Sequence, residues 1–359
     1  NGENLERTGY QIIANYNETT ASLLKEYIFN YHKFKNNKDF EKELFILRRK
    51  IVLSRAQKKS FLKYLVIMMT INRIGIIGAG QMGTGIAHVM ALANYEVILN
   101  DVLPEHLISA KNKIAQNLDR QIAAKKISGD EASQALTNVK TSIDLEAVAN
   151  TDLIIEAVNE EEELKRKVFL SIMPYLEGHT LLTSNTSSIS ITRLASSTDR
   201  PEKFLGFHFM NPVPIMQLVE LIPGIATTQD TFEKCKAVVD QLGKTVARSE
   251  DFPAFIVNRI LIPMINEAIY TLYEGVGSVE AIDTSLKLGA NHPMGPLELA
   301  DFIGLDTCLA IMNVLHDGLA DTKYRPCPLL TKYVEAGWLG RKSKRGFYDY
   351  KTGTPLPTR

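Results

Sequence analysis

The stretch Arg73-Ile-Gly-Ile-Ile77-Gly78-Ala-Gly80-Gln81-Met82-Gly83 decides the fold of this chain of 359 residues. An apolar strand pattern runs directly into glycines spaced G-x-G-x-x-G, and a helical pattern opens where they end. The first glycine permits a tight turn, the second lets backbone approach a pyrophosphate, and the third lets helix and strand pack closely. The segment therefore predicts a dinucleotide site in which Gly78, Gly80, Gln81, Met82 and Gly83 contact the cofactor. A glycine turn without a ligand is the alternative.

Asp101 follows the next predicted strand, Glu96-Val-Ile-Leu99, and completes a βαβ unit. A carboxylate in this position accepts hydrogen bonds from the adenosine ribose and repels a 2′-phosphate. The neighbouring Asn100 cannot supply the positive charge that NADP needs. The predicted cofactor is therefore NAD.

Further strands are predicted at residues 138–141, 153–157, 180–184, 204–209 and 217–222, joined by helical segments. This alternation predicts an α/β fold with a Rossmann-type doubly wound sheet. A long helical insertion lies between Asp101 and Val139 and carries slightly more basic than acidic charge. It is either an ordinary solvated helix pair or a contact surface for the phosphates of a nucleotide-tailed substrate.

Composition excludes several classes of protein. The 41 basic and 41 acidic residues balance, so we expect no nucleic-acid or membrane partner. Three widely spaced cysteines argue against a disulfide framework and for a reducing compartment, cytoplasmic or, in a eukaryote, the mitochondrial matrix. No His or Cys spacing suggests a metal, and no apolar run near the start approaches the roughly 20 residues of a membrane span. We expect a soluble protein.

The chain is long enough for two domains. Residues 1–68 are rich in Asn, Lys and Tyr and form an extension of unknown role, with Met69 a candidate natural start. Acidic residues in its first half disfavour a transit peptide. The sequence predicts a dinucleotide domain over residues 69–250. Beyond it, apolar residues at helical spacing predict an all-α C-terminal domain over 251–359, for substrate binding and dimerisation.

The segment Phe204-Leu-Gly-Phe-His208-Phe-Met-Asn211-Pro-Val-Pro214-Ile-Met-Gln-Leu-Val-Glu220 predicts a hairpin. A turn centred on Pro214 places His208 opposite Glu220, with Cβ atoms about 5 Å apart. Glu220 then fixes the tautomer of His208 and stabilises its protonated form, as an acid/base pair requires. The alternative is a histidine near a sheet edge beside an unrelated surface glutamate.

Asn258 lies in the apolar run Ala254-Phe-Ile-Val-Asn258-Arg-Ile-Leu that opens the helical domain. A buried amide is costly unless it makes a hydrogen bond. Asn258 is therefore either a polar group of the substrate cleft or a partner in helix packing.

These motifs together resemble the L-3-hydroxyacyl-CoA dehydrogenases, especially the short bacterial 3-hydroxybutyryl-CoA type. The resemblance runs from about Ile71 to Tyr350 and includes Ser184-Asn-Thr-Ser-Ser188, Phe255-Ile-Val-Asn-Arg259 and Pro293-Met-Gly-Pro296 besides the two segments above. The family usually has Gly where Ala254 stands, and its pattern has no counterpart of residues 1–68.

The resemblance implies NAD-dependent interconversion of (S)-3-hydroxyacyl-CoA and 3-oxoacyl-CoA, short-chain, in fatty-acid or butanoate metabolism. It implies that His208 is the general acid/base and that Glu220 is its partner. It also implies that Ser187 and Asn258 form hydrogen bonds with the substrate oxygen or with the histidine. Contacts to NAD are implied for Glu160, Lys165, Asn211 and Lys342. Lys165 and Ser187 are also implied near the acyl-CoA, and a homodimer through the helical domain is expected.

Two other functions stay open. A dehydrogenase of the same fold acting on a sugar acid would share the NAD motif and the histidine. A non-enzymatic structural relative would keep only the fold. Against the second, His208, Glu220, Ser187 and Asn258 all occur together, which packing does not demand.

Overall fold

A computed structural model describes residues 71–352 and 354–358. The predicted extension over residues 1–68 lies outside the described residues. Contacts divide the described chain into two units, one of residues 71–186 with 191–251 and one of Ser187–Ser190 with the residues from Phe252 onward.

The first unit is built on one eight-stranded sheet with the order β3-β2-β1-β4-β5-β6-β7-β8. Neighbouring strands are parallel except for the antiparallel pair β6 and β7. The strands are β1 Arg73–Ile77, β2 Glu96–Asn100, β3 Val139–Ser142, β4 Leu153–Glu156, β5 Leu181–Ser184, β6 Phe204–Phe209, β7 Leu218–Pro223 and β8 Thr245–Arg248. The predicted Rossmann-type sheet is confirmed, and β8 is a strand that the apolar pattern did not predict.

Helices of the first unit connect and cover these strands. They are α1 Gln81–Leu92, α2 Pro104–Ala123, α3 Gly129–Asn138, α4 Glu162–Ile172, α5 Ile191–Ser196 and α6 Gln229–Gln241. The predicted insertion is the pair α2 and α3, and Ser128 and Glu131 form a capping box at the start of α3. Each of these two helices buries only an apolar stripe, such as Leu107, Ala110, Ile114 and Leu118 on α2, against the core.

Two glycines of the quoted stretch are required by the backbone. Gly78 has a φ of 104°, a conformation that favours glycine. A Cβ at Gly83 would overlap the carbonyl oxygen of Gly78, so the first turn of α1 approaches β1 as closely as the motif predicts.

The second unit is helical, as predicted. Its helices are α7 Val257–Tyr273, α8 Val279–Gly289, α9 Pro296–Ile303, α10 Leu305–Leu319 and α11 Pro328–Glu335. A short hairpin of β9 Tyr348–Asp349 and β10 Leu356–Pro357 follows them. Ala254, just before α7, has a φ of 61° and is buried, which explains why glycine suits this position.

Two buried aspartates anchor the end of the second unit. Asp301 accepts hydrogen bonds from the backbone N–H groups of Phe347 and Tyr348, and Asp283 accepts one from the Tyr348 hydroxyl. Burial raises the pKa of Asp301 to about 6.

No single helix among the described residues is long and apolar enough to cross a membrane; only α9 and α10, bent by 96° at their junction, pass that test as a pair.

Candidate active site

The carboxyl ends of the parallel strands gather the predicted site residues of the first unit at one edge of the sheet. Gly78 follows β1, Asp101 follows β2, Glu160 lies beyond β4, and His208 is near the end of β6. Ligands of open α/β sheets bind at this edge.

The turn after β1 fits a pyrophosphate. Gly80 is the N-cap of α1 and contributes no side-chain cap, so the first N–H groups of the helix keep their capacity for an anion. A Cβ at Gly80 would meet nothing within 4 Å, which leaves space for a ligand against the backbone. Gln81 extends its amide to Asn211, with Nε2 donating to Oδ1 at 2.9 Å.

Asp101 is held in place by backbone at the end of β2. Its Oδ2 accepts from the Ala79 N–H at 2.8 Å and its Oδ1 from the Leu103 N–H at 3.0 Å. The Nδ1 atom of His106, a residue the sequence analysis did not single out for this site, lies 3.2 Å from the same Oδ1. A carboxylate has about four acceptor positions, two on each oxygen, so one position on Oδ2 remains for a ribose hydroxyl.

His208 and Glu220 face each other across β6 and β7. They are direct partners in the antiparallel register, as the predicted hairpin requires, and Nδ1 of His208 lies 2.8 Å from Oε2 of Glu220. Their side chains are 8% and 0% exposed. An ionised carboxylate can only accept, so Nδ1 carries the proton and Nε2 is left as the basic nitrogen. The pairing is confirmed, and the catalytic role stays a prediction.

The β6–β7 loop, residues 210–217, is fixed by a lysine that sequence reasoning missed. Lys244 is buried, and its Nζ donates to the carbonyl oxygens of Val213 at 2.8 Å and Met216 at 2.7 Å. Burial lowers the pKa of Lys244 to about 8. The same loop contains the cis peptide Asn211–Pro212, and the Asn211 side chain accepts the hydrogen bond from Gln81.

Glu160 and Lys165 meet beyond β4. Lys165 is 1% exposed, and its Nζ lies 2.7 Å from Oε1 of Glu156 and 3.4 Å from Oε2 of Glu160. Glu160 also accepts a hydrogen bond from the Thr186 hydroxyl at 2.6 Å. Burial raises the pKa of Glu156, and the charge of Lys165 opposes that rise. The predicted contacts of Lys165 with NAD and acyl-CoA stay predictions, and Glu156 is a buried partner that the sequence analysis did not name.

The other predicted site residues belong to the second unit. Ser187 lies in the Ser187–Ser190 stretch, and Asn258 is in the first turn of α7, partly buried. Lys342 is half-exposed and forms an ion pair of 2.6 Å with Asp306. Their predicted roles toward cofactor and substrate stay predictions.

Two segments of the chain match a family of dehydrogenases. Residues 73–252 match the NAD-binding domain of 3-hydroxyacyl-CoA dehydrogenase, and residues 255–350 match the C-terminal domain. The chain belongs to the 3-hydroxyacyl-CoA dehydrogenase family. It is 64% identical over 289 residues to the 3-hydroxybutyryl-CoA dehydrogenase of Bradyrhizobium diazoefficiens, covering 80% of this chain and 99% of that protein.

Two further relatives support this family assignment. The human mitochondrial hydroxyacyl-coenzyme A dehydrogenase is 41% identical, covering 78% of this chain and 92% of that protein. The crystal structure of (S)-3-hydroxybutyryl-CoA dehydrogenase from Ralstonia eutropha superposes with a TM-score of 0.76 at 46% identity, covering 79% of this chain and 100% of that one. The predicted family, the oxidoreductase class and NAD as cofactor are thereby confirmed.

Proposed function

We propose that this 3-hydroxyacyl-CoA dehydrogenase interconverts (S)-3-hydroxybutyryl-CoA and acetoacetyl-CoA, with NAD as hydride acceptor, in fatty-acid or butanoate metabolism. The bacterial relatives that match nearly end to end are named for this short-chain substrate, which supports the chain length. The bound nicotinamide supplies the hydride chemistry, and the residues of this chain supply binding, orientation and proton transfer.

The buried pair of His208 and Glu220 carries the proposal. Oxidation of a secondary alcohol releases a hydride from carbon and a proton from oxygen, and the C=O bond forms as both leave. With Nδ1 directed to Glu220, the Nε2 atom of His208 takes the hydroxyl proton. The carboxylate of Glu220, 2.8 Å away, stabilises the imidazolium that results. In the reverse direction His208 returns the proton to the developing alkoxide.

Ser187 and Asn258 complete the proposed catalytic set. A hydroxyl and an amide N–H can donate to the substrate oxygen, where negative charge develops during reduction. We assign them this role because the family resemblance implies it for both residues. Lys342 is proposed as a cofactor contact on the same ground.

The cofactor site is proposed to consist of the Gly78–Gly83 turn, Asp101, Glu160 and Asn211. The turn offers an uncapped helix N-terminus and open space at Gly80, which suits a pyrophosphate. Asp101 provides an acceptor for the ribose and the negative charge that disfavours NADP.

Absorbance of NADH during reduction of acetoacetyl-CoA tests the proposal. We expect fast turnover with NADH and much slower turnover with NADPH. A sugar acid offered with NAD distinguishes the alternative substrate class. Turnover of the sugar acid but not of acetoacetyl-CoA would overturn the substrate assignment, and NADH binding without turnover of either would support a non-enzymatic relative.

A homodimer through the helical unit is also proposed, together with the predicted domain division 69–250 and 251–359. Large apolar side chains are exposed on that unit, including Ile260, Tyr273, Val276 and Leu288, as expected for a surface that another subunit covers. Sedimentation equilibrium should give twice the mass of the chain, and a single chain mass would refute the dimer.

A cytoplasmic location, or the mitochondrial matrix in a eukaryote, is proposed from the human mitochondrial relative and the three free, buried cysteines.

A further inference from the structure

Glu156 is the last residue of β4 and is fully buried, although neither the proposed proton transfer nor the proposed cofactor contacts use it. Its two carboxylate oxygens have separate partners. Oε1 accepts from the Lys165 ammonium at 2.7 Å and from the Val158 N–H at 2.7 Å, and Oε2 accepts from the Ser184 hydroxyl at 2.6 Å. Glu156 thus joins β4, β5 and α4 at the ligand edge of the sheet.

The ammonium of Lys165 is surrounded by protein acceptors. Besides Glu156, it lies 3.3 Å from the carbonyl oxygen of Val158 and 3.4 Å from Oε2 of Glu160. An ammonium has three N–H donors, and these three acceptors match them in number. A cofactor or acyl-CoA atom could take a donor of Lys165 only by displacing one of them.

Glu160 is the member of this cluster that reaches solvent. Its side chain is 37% exposed, against 1% for Lys165 and 0% for Glu156. Lys165 holds one of its carboxylate oxygens, and the buried Thr186 hydroxyl donates to the other at 2.6 Å. Of the three charged side chains, Glu160 is therefore the one placed to meet a bound cofactor.

We propose that Glu156 and Lys165 are positioning residues that serve the cofactor through Glu160: the buried carboxylate fixes the ammonium, and the ammonium fixes the orientation of the Glu160 carboxylate. Lys165 then needs no direct contact with the acyl-CoA. This inference rests on the proposed function, because Glu160 is there a proposed NAD contact.

A double-mutant cycle between Lys165→Met and Glu160→Gln tests the proposal. The dissociation constant of NADH is measured by fluorescence, without turnover, and the KM of acetoacetyl-CoA is measured at saturating NADH. Each single change should weaken NADH binding about tenfold, the effect of losing one charge-assisted hydrogen bond. The dissociation constant of NADH in the double variant should not exceed that of the single variant that binds NADH less tightly. The KM of acetoacetyl-CoA should stay within about twofold of the wild-type value.

Lys167→Met is the matched control, because Lys167 is an exposed lysine on the same helix α4. It should leave both constants unchanged. If Lys165→Met does not fold because Glu156 keeps an unpaired buried charge, Lys165→Met is combined with Glu156→Gln, which removes both charges. This pair then takes the place of the single lysine variant in the cycle.

Two results would overturn the proposal. In the first, the dissociation constant of NADH in the double variant rises by the product of the two single fold-changes, which would mean that Lys165 acts independently of Glu160. The other is a KM of acetoacetyl-CoA that rises severalfold with the lysine change even in the Glu160→Gln background, which would indicate a direct substrate contact. Failure of the wild-type protein to reduce acetoacetyl-CoA would instead remove the proposed function, and the NADH cycle could still be read.

Discussion

Replacing Glu220 by Gln should remove most of the turnover while the protein stays folded. The change keeps the shape of the side chain but removes its negative charge. The Glu220 side chain is 0% exposed, and its Oε2 atom lies 2.8 Å from Nδ1 of His208. At that contact the charge centres are about 4 Å apart, and a pair at this distance interacts by about 4 kcal/mol at an effective dielectric constant of about 20. Since the positive charge on His208 develops only during proton transfer, kcat should fall about a thousandfold.

Steady-state reduction of acetoacetyl-CoA by NADH measures this effect, with NADH affinity determined by fluorescence. We expect NADH binding to change by less than about threefold, because Glu220 holds the histidine and not the cofactor. Asp240→Asn is the matched control, because Asp240 is likewise a buried carboxylate with a basic partner, here Lys236 on the same helix α6. It should leave kcat nearly intact. A Glu220→Gln enzyme that keeps more than about a tenth of wild-type kcat would refute the role of Glu220.

Three other changes have defined outcomes. Asp101→Asn should weaken NADH binding about tenfold and reduce the preference for NADH over NADPH in kcat/KM, because the repelling charge is gone; an unchanged preference would contradict this role. Lys244→Met removes the hydrogen-bond donor of the buried Val213 carbonyl oxygen and of the partly buried Met216 carbonyl oxygen, and should lower the free energy of unfolding in urea by about 1–3 kcal/mol. Lys234→Met, at a more exposed ion pair, should cost under about 1 kcal/mol, and equal effects of the two changes would argue against a role of Lys244 in fixing the loop. Burial lowers the pKa of His88 from 6.5 to about 4. The folded state therefore favours the neutral imidazole, and the stability that His88 contributes is complete above pH 6.5 and is lost as the pH falls towards 4. Between about pH 7 and pH 5 this loss is about 2 kcal/mol, and urea unfolding of His88→Gln should show a correspondingly smaller decrease; identical pH dependence would exclude His88 as the source.

The fold could be predicted because its signals are local. The strand pattern before Gly78 and the apolar run Phe204–Phe209 are each contained in a few consecutive residues, and the structure forms a strand at each of them. The pairing of His208 with Glu220 was also accessible, since a proline-rich turn between two β-prone segments fixes the register. The weak strand β8 was missed because two of its four residues are polar and none is fully buried, so apolar content did not mark it.

The missed residues of the site depend on contacts distant in sequence. Lys244 is 28 to 31 positions from the carbonyl groups that it binds, and nothing near it in the chain indicates that partner. Glu156 had a usable signal, because a glutamate that ends the apolar run Leu-Ile-Ile is costly to bury without a partner. Its partner Ser184 could not be identified without knowing that β4 and β5 are adjacent and that Glu156 lies opposite Ser184.

Proton transfer by His208 is best tested by single-turnover reduction of acetoacetyl-CoA by the His208→Gln variant with NADH already bound. Glutamine keeps a polar side chain in β6 but cannot accept and return a proton near neutral pH. We predict NADH affinity within about threefold of wild type and a rate of NADH oxidation at least about a hundredfold lower. A variant that binds NADH and oxidises it at close to the wild-type rate would show that His208 does not transfer the proton.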